Sequence, residues 1–165
     1  MTDIRFALAQ IDTCVGDLDS NADKVMRYAH LAAQQGAQVV VFPEMTLTGY
    51  PIEDLALRAT FRKAAWDKAN WLATELASDS LGELYVVVGT VGTDRETSKP
   101  RNRLVVLHDA PGVGRDAVQP AVVAVDVDLV ERSVPEPVAV HGLGQEDAPH
   151  PLLSLIHISE PTRRS

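Results

Sequence analysis

The sequence predicts an α/β protein with helices packed on a mixed central sheet. Three observations lead there. A β-rich segment, Ile4–Gln10, is followed by a stretch of helical periodicity, Ala22–Gln35, and then by a β-branched run, Gln38–Phe42. Strand, helix and strand within that length form a βαβ unit with a right-handed crossover. The second run is almost continuously apolar, as suits a strand buried on both faces. Two more such runs, Tyr85–Thr90 and Leu104–His108, come after a second long helix, so all four strands are expected in one sheet.

Taken in order, Ile4–Gln10 alternates in the manner of a first strand. Residues Thr13–Ser20, with Gly16 and several aspartates, read as a loop. In the first helix Ala22, Val25, Met26, Ala29, Ala32 and Ala33 share one face. Asn21 is the expected N-cap and Gly36 the expected stop. Glu53–Leu57 reads as a short helical turn and Thr60–Ala77 as the second helix. The stripe of that helix, Phe61, Ala64, Ala65, Lys68, Leu72, Glu75 and Leu76, is only moderately apolar. Trp66 and Trp71 are expected to pack against the sheet. Asn102 stands just ahead of the fourth strand.

Composition removes several classes of function. At 165 residues the chain suffices for one domain with a core. No apolar run approaches a membrane span. The N-terminus, MTDIRFALAQ, has no basic region followed by a long apolar stretch, so no signal peptide is expected. A single cysteine, Cys14, allows no internal disulfide and fits a reducing cytoplasm; as a small apolar loop residue it reads as structural. A net charge of −8 argues against non-specific nucleic-acid binding. The five histidines lack metal-ligand spacing, and no metal site is expected; His30 reads as flanking the buried face of the first helix. Asp17, Asp19 and Asp23 suggest a cation loop, but acidic residues favouring a helix N-terminus is the simpler account. Gly112-Val113-Gly114 with Ala117 mimics a dinucleotide fingerprint, yet Pro120 interrupts the helix that motif needs.

The character of the chain changes after Asp109. All eight aromatic residues lie at or before Tyr85, and seven of the ten prolines lie beyond Asp109. Lys, Met, Asn and Cys are absent from that second part, a composition unlike an average domain. Residues 1–109 therefore read as the folded part. Residues 110–152 read as a frameshifted, chimeric or divergent segment, in which Val122–Val130 is the one candidate strand. Residues 153–165, beginning LSLIHISEPTR from Leu153, resemble the conceptual translation of a sequencing-library adapter. They are expected to pack on nothing specific, and residues 110–152 to contribute little to the core.

Chemistry concentrates in Val39–Leu57, VVVFPEMTLTGYPIEDLAL. The strand ends abruptly at Pro43-Glu44, with Phe42 held extended by the proline after it. An acidic side chain at the mouth of a sheet is placed for general-base work, since partial burial would raise its pKa. A helix N-cap or a surface ion pair would also explain a glutamate there.

The FPE element and the string TGYPIEDL that follows resemble the nitrilase (carbon–nitrogen hydrolase) superfamily. Within it they are similar to the glutamine amidohydrolase domain of the glutamine-dependent NAD+ synthetases. The likeness covers about Thr2 to Asp109. It implies half of an αββα sandwich and a catalytic Glu, Lys and Cys, in which the Cys thiolate attacks the glutamine amide, the Glu is general base and the Lys supports the oxyanion. Glu44 matches the catalytic glutamate, Tyr50 a tyrosine lining the amide pocket, and Asn102 the asparagine that opens the fourth strand. Where the lysine should follow, the sequence has Ala121, Val122 and Val123, with no lysine downstream; Cys14 does not match the nucleophile. The chain thus reads as a truncated piece, inactive alone. The same resemblance implies glutamine as substrate, a C-terminal synthetase domain not in this sequence, a homo-oligomeric full-length protein, and ATP with Mg2+ used only by that fuller protein. No cofactor is expected in this segment. A free-standing amidase or nitrilase and a non-catalytic module binding a partner subunit are the alternatives.

Overall fold

The first two strands, β1 (Ile4–Gln10) and β2 (Val39–Val41), pair in parallel through Phe6–Val39, Ala7–Val40 and Leu8–Val41, joined by helix α1 (Leu18–Gln34). The computed structural model of the protein describes residues 4–108, 121–126 and 153–159. After β2 come a 3-10 turn (Glu53–Leu57), helix α2 (Ala59–Ser78), β3 (Tyr85–Thr93), β4 (Pro100–His108), β5 (Ala121–Asp126) and β6 (Leu153–Ser159). All six strands lie in one sheet, in the order β5-β4-β3-β2-β1-β6. Pairing is parallel from β6 to β3 and antiparallel across β3, β4 and β5. The expected class, helices on a mixed sheet, is the class observed.

Both helices cover one face. Ala7, Ala9, Val40, Val86, Val88, Val105 and Leu107 share a buried cluster with Val25, Ala29 and Ala32 of α1 and Leu72, Ala73 and Leu76 of α2. Alternation along the strands turns their neighbours the other way. That second face carries the row Leu8–Val41–Val87–Val106, aligned by the strand register; these side chains are half-buried or exposed. An apolar row uncovered by either helix is what one layer of a multilayer sandwich leaves behind.

Several boundaries differ from expectation. Helix α1 begins three residues before Asn21, because Asp17 is the cap: its carboxylate accepts from the Ser20 amide at 3.1 Å. The Ser20 side chain and backbone together hold the Asp17 carboxyl below its usual range. Gly36 does end the helix, at φ +74°. Strand β4 starts at Pro100, so Asn102 lies within it, opposite Val91. In α2 the buried stripe is Arg62, Ala65, Ala69, Leu72, Ala73 and Leu76, rotated from the predicted one. Trp66 packs on the core, whereas Trp71 is 38% exposed with Lys68 over its ring. His30 reaches Asp79 at 3.0 Å and ties the ends of the two helices.

The largest departure is the tail. Leu153–Ser159 was expected to pack on nothing, yet it forms β6, parallel to β1 over seven residue pairs from Ile4–Leu153 to Gln10–Ser159. Ile158 is 7% exposed within the main cluster. The physical reason is that an alternating run rich in Leu and Ile fits a pleated, half-buried edge whatever its origin. Residues 110–120 and 127–152, with the Gly112–Ala117 motif, His141 and His150, lie outside the described residues; within the suspect segment Ala121–Asp126 pairs with β4. Ile158→Ala should therefore lower unfolding free energy by about 2–5 kcal/mol, the range for truncating a buried isoleucine. Urea denaturation checks this, and an unchanged midpoint would mean that β6 contributes nothing to the core.

Candidate active site

The turn after β2 is built almost wholly from backbone hydrogen bonds. The Phe42 amide continues the ladder, donating to the Val87 carbonyl at 2.9 Å; the chain then leaves the sheet at Pro43. Met45 takes φ +54°, uncommon for a residue with a side chain. It is held there by its own carbonyl, which accepts from the Thr48 and Gly49 amides at 3.1 and 2.7 Å. The Thr46 hydroxyl donates to the Pro43 carbonyl at 2.6 Å, and the Leu47 amide to the Gly89 carbonyl at 3.0 Å. Thr46, Leu47 and Thr48 are all buried. A turn so determined presents its remaining side chains in fixed directions.

Two residues whose weight the sequence did not reveal hold this turn in place. Asn21 is fully buried on α1. Its side chain accepts from the Cys14 amide at 2.9 Å and donates to the carbonyls of Cys14 at 2.8 Å and Leu47 at 3.2 Å. It thus fastens the loop after β1 and the turn after β2 to one helix. Gly89, on β3, lies beneath the turn. A β-carbon there would stand 2.5 Å from the Met45 nitrogen and 2.8 Å from the Glu44 Cα. A glycine inside a strand signals such a close approach, and that signal was present in VVVGT.

Glu44 is exposed, not partly buried as the sequence suggested. The cause is the turn itself, which leaves the sheet at Pro43 before any element can cover the side chain. Glu44 Oε1 accepts from Asn102 Nδ2 at 2.7 Å. The structure therefore joins two residues that the sequence had singled out 58 positions apart. One carboxylate oxygen is oriented by an amide, and the other is left to accept a further hydrogen bond or a proton. Tyr50, at the end of the same turn, is 70% exposed and has no hydrogen-bond partner among the described residues. Cys14 is exposed in the neighbouring loop. The location, beyond the carboxyl ends of parallel strands β1, β2 and β3, is where open α/β sheets place ligands. Among the described residues no three His, Cys, Asp or Glu side chains cluster as a metal site, and no helix is long and apolar enough to cross a membrane.

Comparison with known proteins bears on this geometry. The family profile described as carbon-nitrogen hydrolase matches residues 5–148, spanning Glu44, Tyr50 and Asn102. The chain is similar to the glutamine-dependent NAD+ synthetase of Mycobacterium tuberculosis, 33% identical over 111 residues, which is 67% of this chain and 16% of that protein. It is similar to the same enzyme of Acinetobacter baylyi, 41% identical over 63 residues, 38% of this chain and 12% of that protein. Among solved structures it resembles the glutamine-dependent NAD+ synthetase of Acinetobacter baumannii in complex with ADP, with 32% identity and a TM-score of 0.55. That match covers 66% of this chain and 19% of the other. An amidase from Nesterenkonia sp. matches at 21% identity and a TM-score of 0.53, over 65% of this chain and 39% of the other, a likeness of fold alone. The chain thus spans less than a fifth of the synthetases it matches.

Proposed function

This chain belongs to the carbon-nitrogen hydrolase family, and on that premise we propose that it is part of the ammonia-generating domain of a glutamine-dependent NAD+ synthetase. The observation that carries the reading is the 2.7 Å hydrogen bond from Asn102 to Glu44 at the carboxyl end of the sheet. In this proposal Glu44 is the general base of glutamine amide hydrolysis. It would take the proton from a cysteine thiol and later activate water for release of glutamate. Asn102 positions the carboxylate, and exposed Tyr50 lines the amide pocket. The relatives favour a synthetase over a free-standing amidase: those of 33–46% identity are glutamine-dependent NAD+ synthetases. ATP use would belong to another part of such a protein; that the Acinetobacter baumannii enzyme binds ADP fits use of ATP by the whole protein.

The nucleophile and the oxyanion lysine lie outside what this chain supplies. Purified alone, it should release no ammonia from glutamine above background, since loss of one member of such a unit removes most of the rate. The positive test joins residues 1–108 to the downstream sequence of the Mycobacterium tuberculosis relative and assays ammonia. The chimera should hydrolyse glutamine, and Glu44→Gln within it should reduce kcat by about 10²–10⁴-fold, the usual contribution of a positioned base. A chimera that is folded and active but indifferent to Glu44→Gln would remove Glu44 from the mechanism. Activity on small aliphatic amides with none on glutamine would instead favour an amidase.

A further inference from the structure

A cleft opens between the start of α2 and the hairpin joining β3 and β4. Its volume is about 460 Å3, within the range of small-molecule sites. Arg62, Lys63, Arg95 and Arg103 line it, together with Trp66 and Thr93, and among the described residues no acidic side chain does. Four cations converge there in a chain whose net charge is −8.

Arg62 forms the fixed floor. It is 7% exposed, and its three hydrogen bonds all go to neutral oxygens: Nε to Thr93 Oγ1 at 2.8 Å, Nη1 to the Ala56 carbonyl at 2.7 Å and Nη2 to the Ser98 carbonyl at 3.2 Å. A guanidinium has five N–H donors, so two remain beyond these bonds. Burying a cation is costly without a counter-charge, and none of its partners carries one. Arg103 lies 5.9 Å above the Trp66 ring, with Nη2 near the Thr93 carbonyl at 3.2 Å. Lys63 and Arg95 are exposed at the rim. Lys63 is partly neutralised by Asp67 at 2.6 Å.

The hairpin that carries Arg95 is itself well defined. Asp94 accepts from the Thr97 amide and hydroxyl, both at 2.7 Å, and pairs with Arg101 Nε at 2.7 Å. These contacts, the Thr97 amide foremost, hold its carboxyl down to about 2. The rim is thus set by a closed turn.

We propose that this cleft is a phosphate-binding site, distinct from the Glu44 site and independent of the reaction assigned there. Guanidinium groups lining one partly buried cleft supply the charge-assisted donors that a phosphate oxyanion accepts. More positive charge is gathered here than a single carboxylate would need. The phosphate is either free or the end group of a small phosphorylated metabolite.

The test uses the full chain carrying Trp71→Phe, which leaves Trp66 as the sole tryptophan. Inorganic phosphate, and separately glycerol phosphate, are titrated at constant ionic strength while Trp66 fluorescence is followed, with equilibrium dialysis of labelled phosphate alongside. Saturable binding is expected, weakened about tenfold or more by Lys63→Glu with Arg95→Glu, since each removes a charge-assisted contact. Both residues are exposed, so the thermal midpoint without ligand should stay unchanged. Tighter binding of glycerol phosphate would identify an organic phosphate, and equal binding a free one. No saturable binding by either method, or binding indifferent to the double charge reversal, overturns the proposal.

Discussion

Asn21→Leu should destabilise the chain by about 2 kcal/mol or more, because a buried side chain loses all three of its hydrogen bonds and leaves two partner groups unsatisfied, at about 1–3 kcal/mol each. The substitution matches the amide in number of side-chain heavy atoms, with bulkier methyls, and does not lower helix propensity, so neither a cavity nor a weaker α1 would account for the loss. What goes is the attachment of two loops to one helix. The Cys14 amide and the Leu47 carbonyl would lose their partner beside a fully buried site, while the Cys14 carbonyl would keep the Asp17 amide at 3.3 Å. Asn21→Asp is the informative companion. It keeps the acceptor for the Cys14 amide but sets a buried carboxylate against two carbonyls, and it should be at least as damaging. Urea melts read the stability, and amide exchange at Leu47 and Thr48 reads the turn. A loss below about 1 kcal/mol, within the range of an ordinary hydrogen bond, would show that the turn holds itself without the helix.

That residue also shows where the sequence stopped being legible. The position of Asn21 beside an apolar helical stripe reads equally well as a cap or as a helical residue, since asparagine favours caps through local bonding. Only the fold reveals that Asp17 takes the cap and Asn21 turns inward to loops 7 and 26 residues away. The strands were legible because β-branched runs bounded by loops have few other uses. Their register was not, since it depends on which runs meet. Strand β6 is the sharpest case. Its likeness to an adapter translation argued for exclusion, yet in the structure its Leu- and Ile-rich run pairs along the whole of β1.

The Glu44 site was legible in part. Proline after a buried strand marks a chain leaving a sheet, and the side chain that follows must then lie at its mouth. Asn102 was visible only through family likeness, because nothing in its own neighbourhood places it across β3 from the turn. Exposure of Glu44 was not foreseeable, since it depends on what the turn leaves uncovered. The basic cleft was less legible still. Arg62, Lys63, Arg95 and Arg103 are spread over two elements and a hairpin, and in sequence each reads as an ordinary surface charge.

Gly89→Ala should do the most local damage of any single methyl addition to the sheet. The new β-carbon would sit 2.5 Å from the Met45 nitrogen, 2.8 Å from the Glu44 Cα and 2.8 Å from the Pro43 carbonyl oxygen, all backbone atoms. Backbone cannot swing aside as a side chain can, so either β3 or the turn must move. The turn is the weaker partner, joined to β3 there by the Leu47–Gly89 hydrogen bond at 3.0 Å. Its displacement would separate Glu44 from Asn102. Gly92→Ala, three residues along the same strand, is the matched control. The three atoms nearest its added carbon, the first also at 2.5 Å, all belong to the Arg103 side chain, which can rotate away. The expected cost is about 3 kcal/mol or more for Gly89→Ala against about 1 kcal/mol for Gly92→Ala, the span between rigid overpacking and a yielding neighbour. The Asn102 side-chain amide resonances should shift strongly in the first variant and little in the second. In the glutaminase chimera only the first should lose activity. Equal costs for the two, with the Asn102 resonances unmoved in Gly89→Ala, would mean that the turn does not rest on β3 at Gly89 and that something else sets the direction of Glu44.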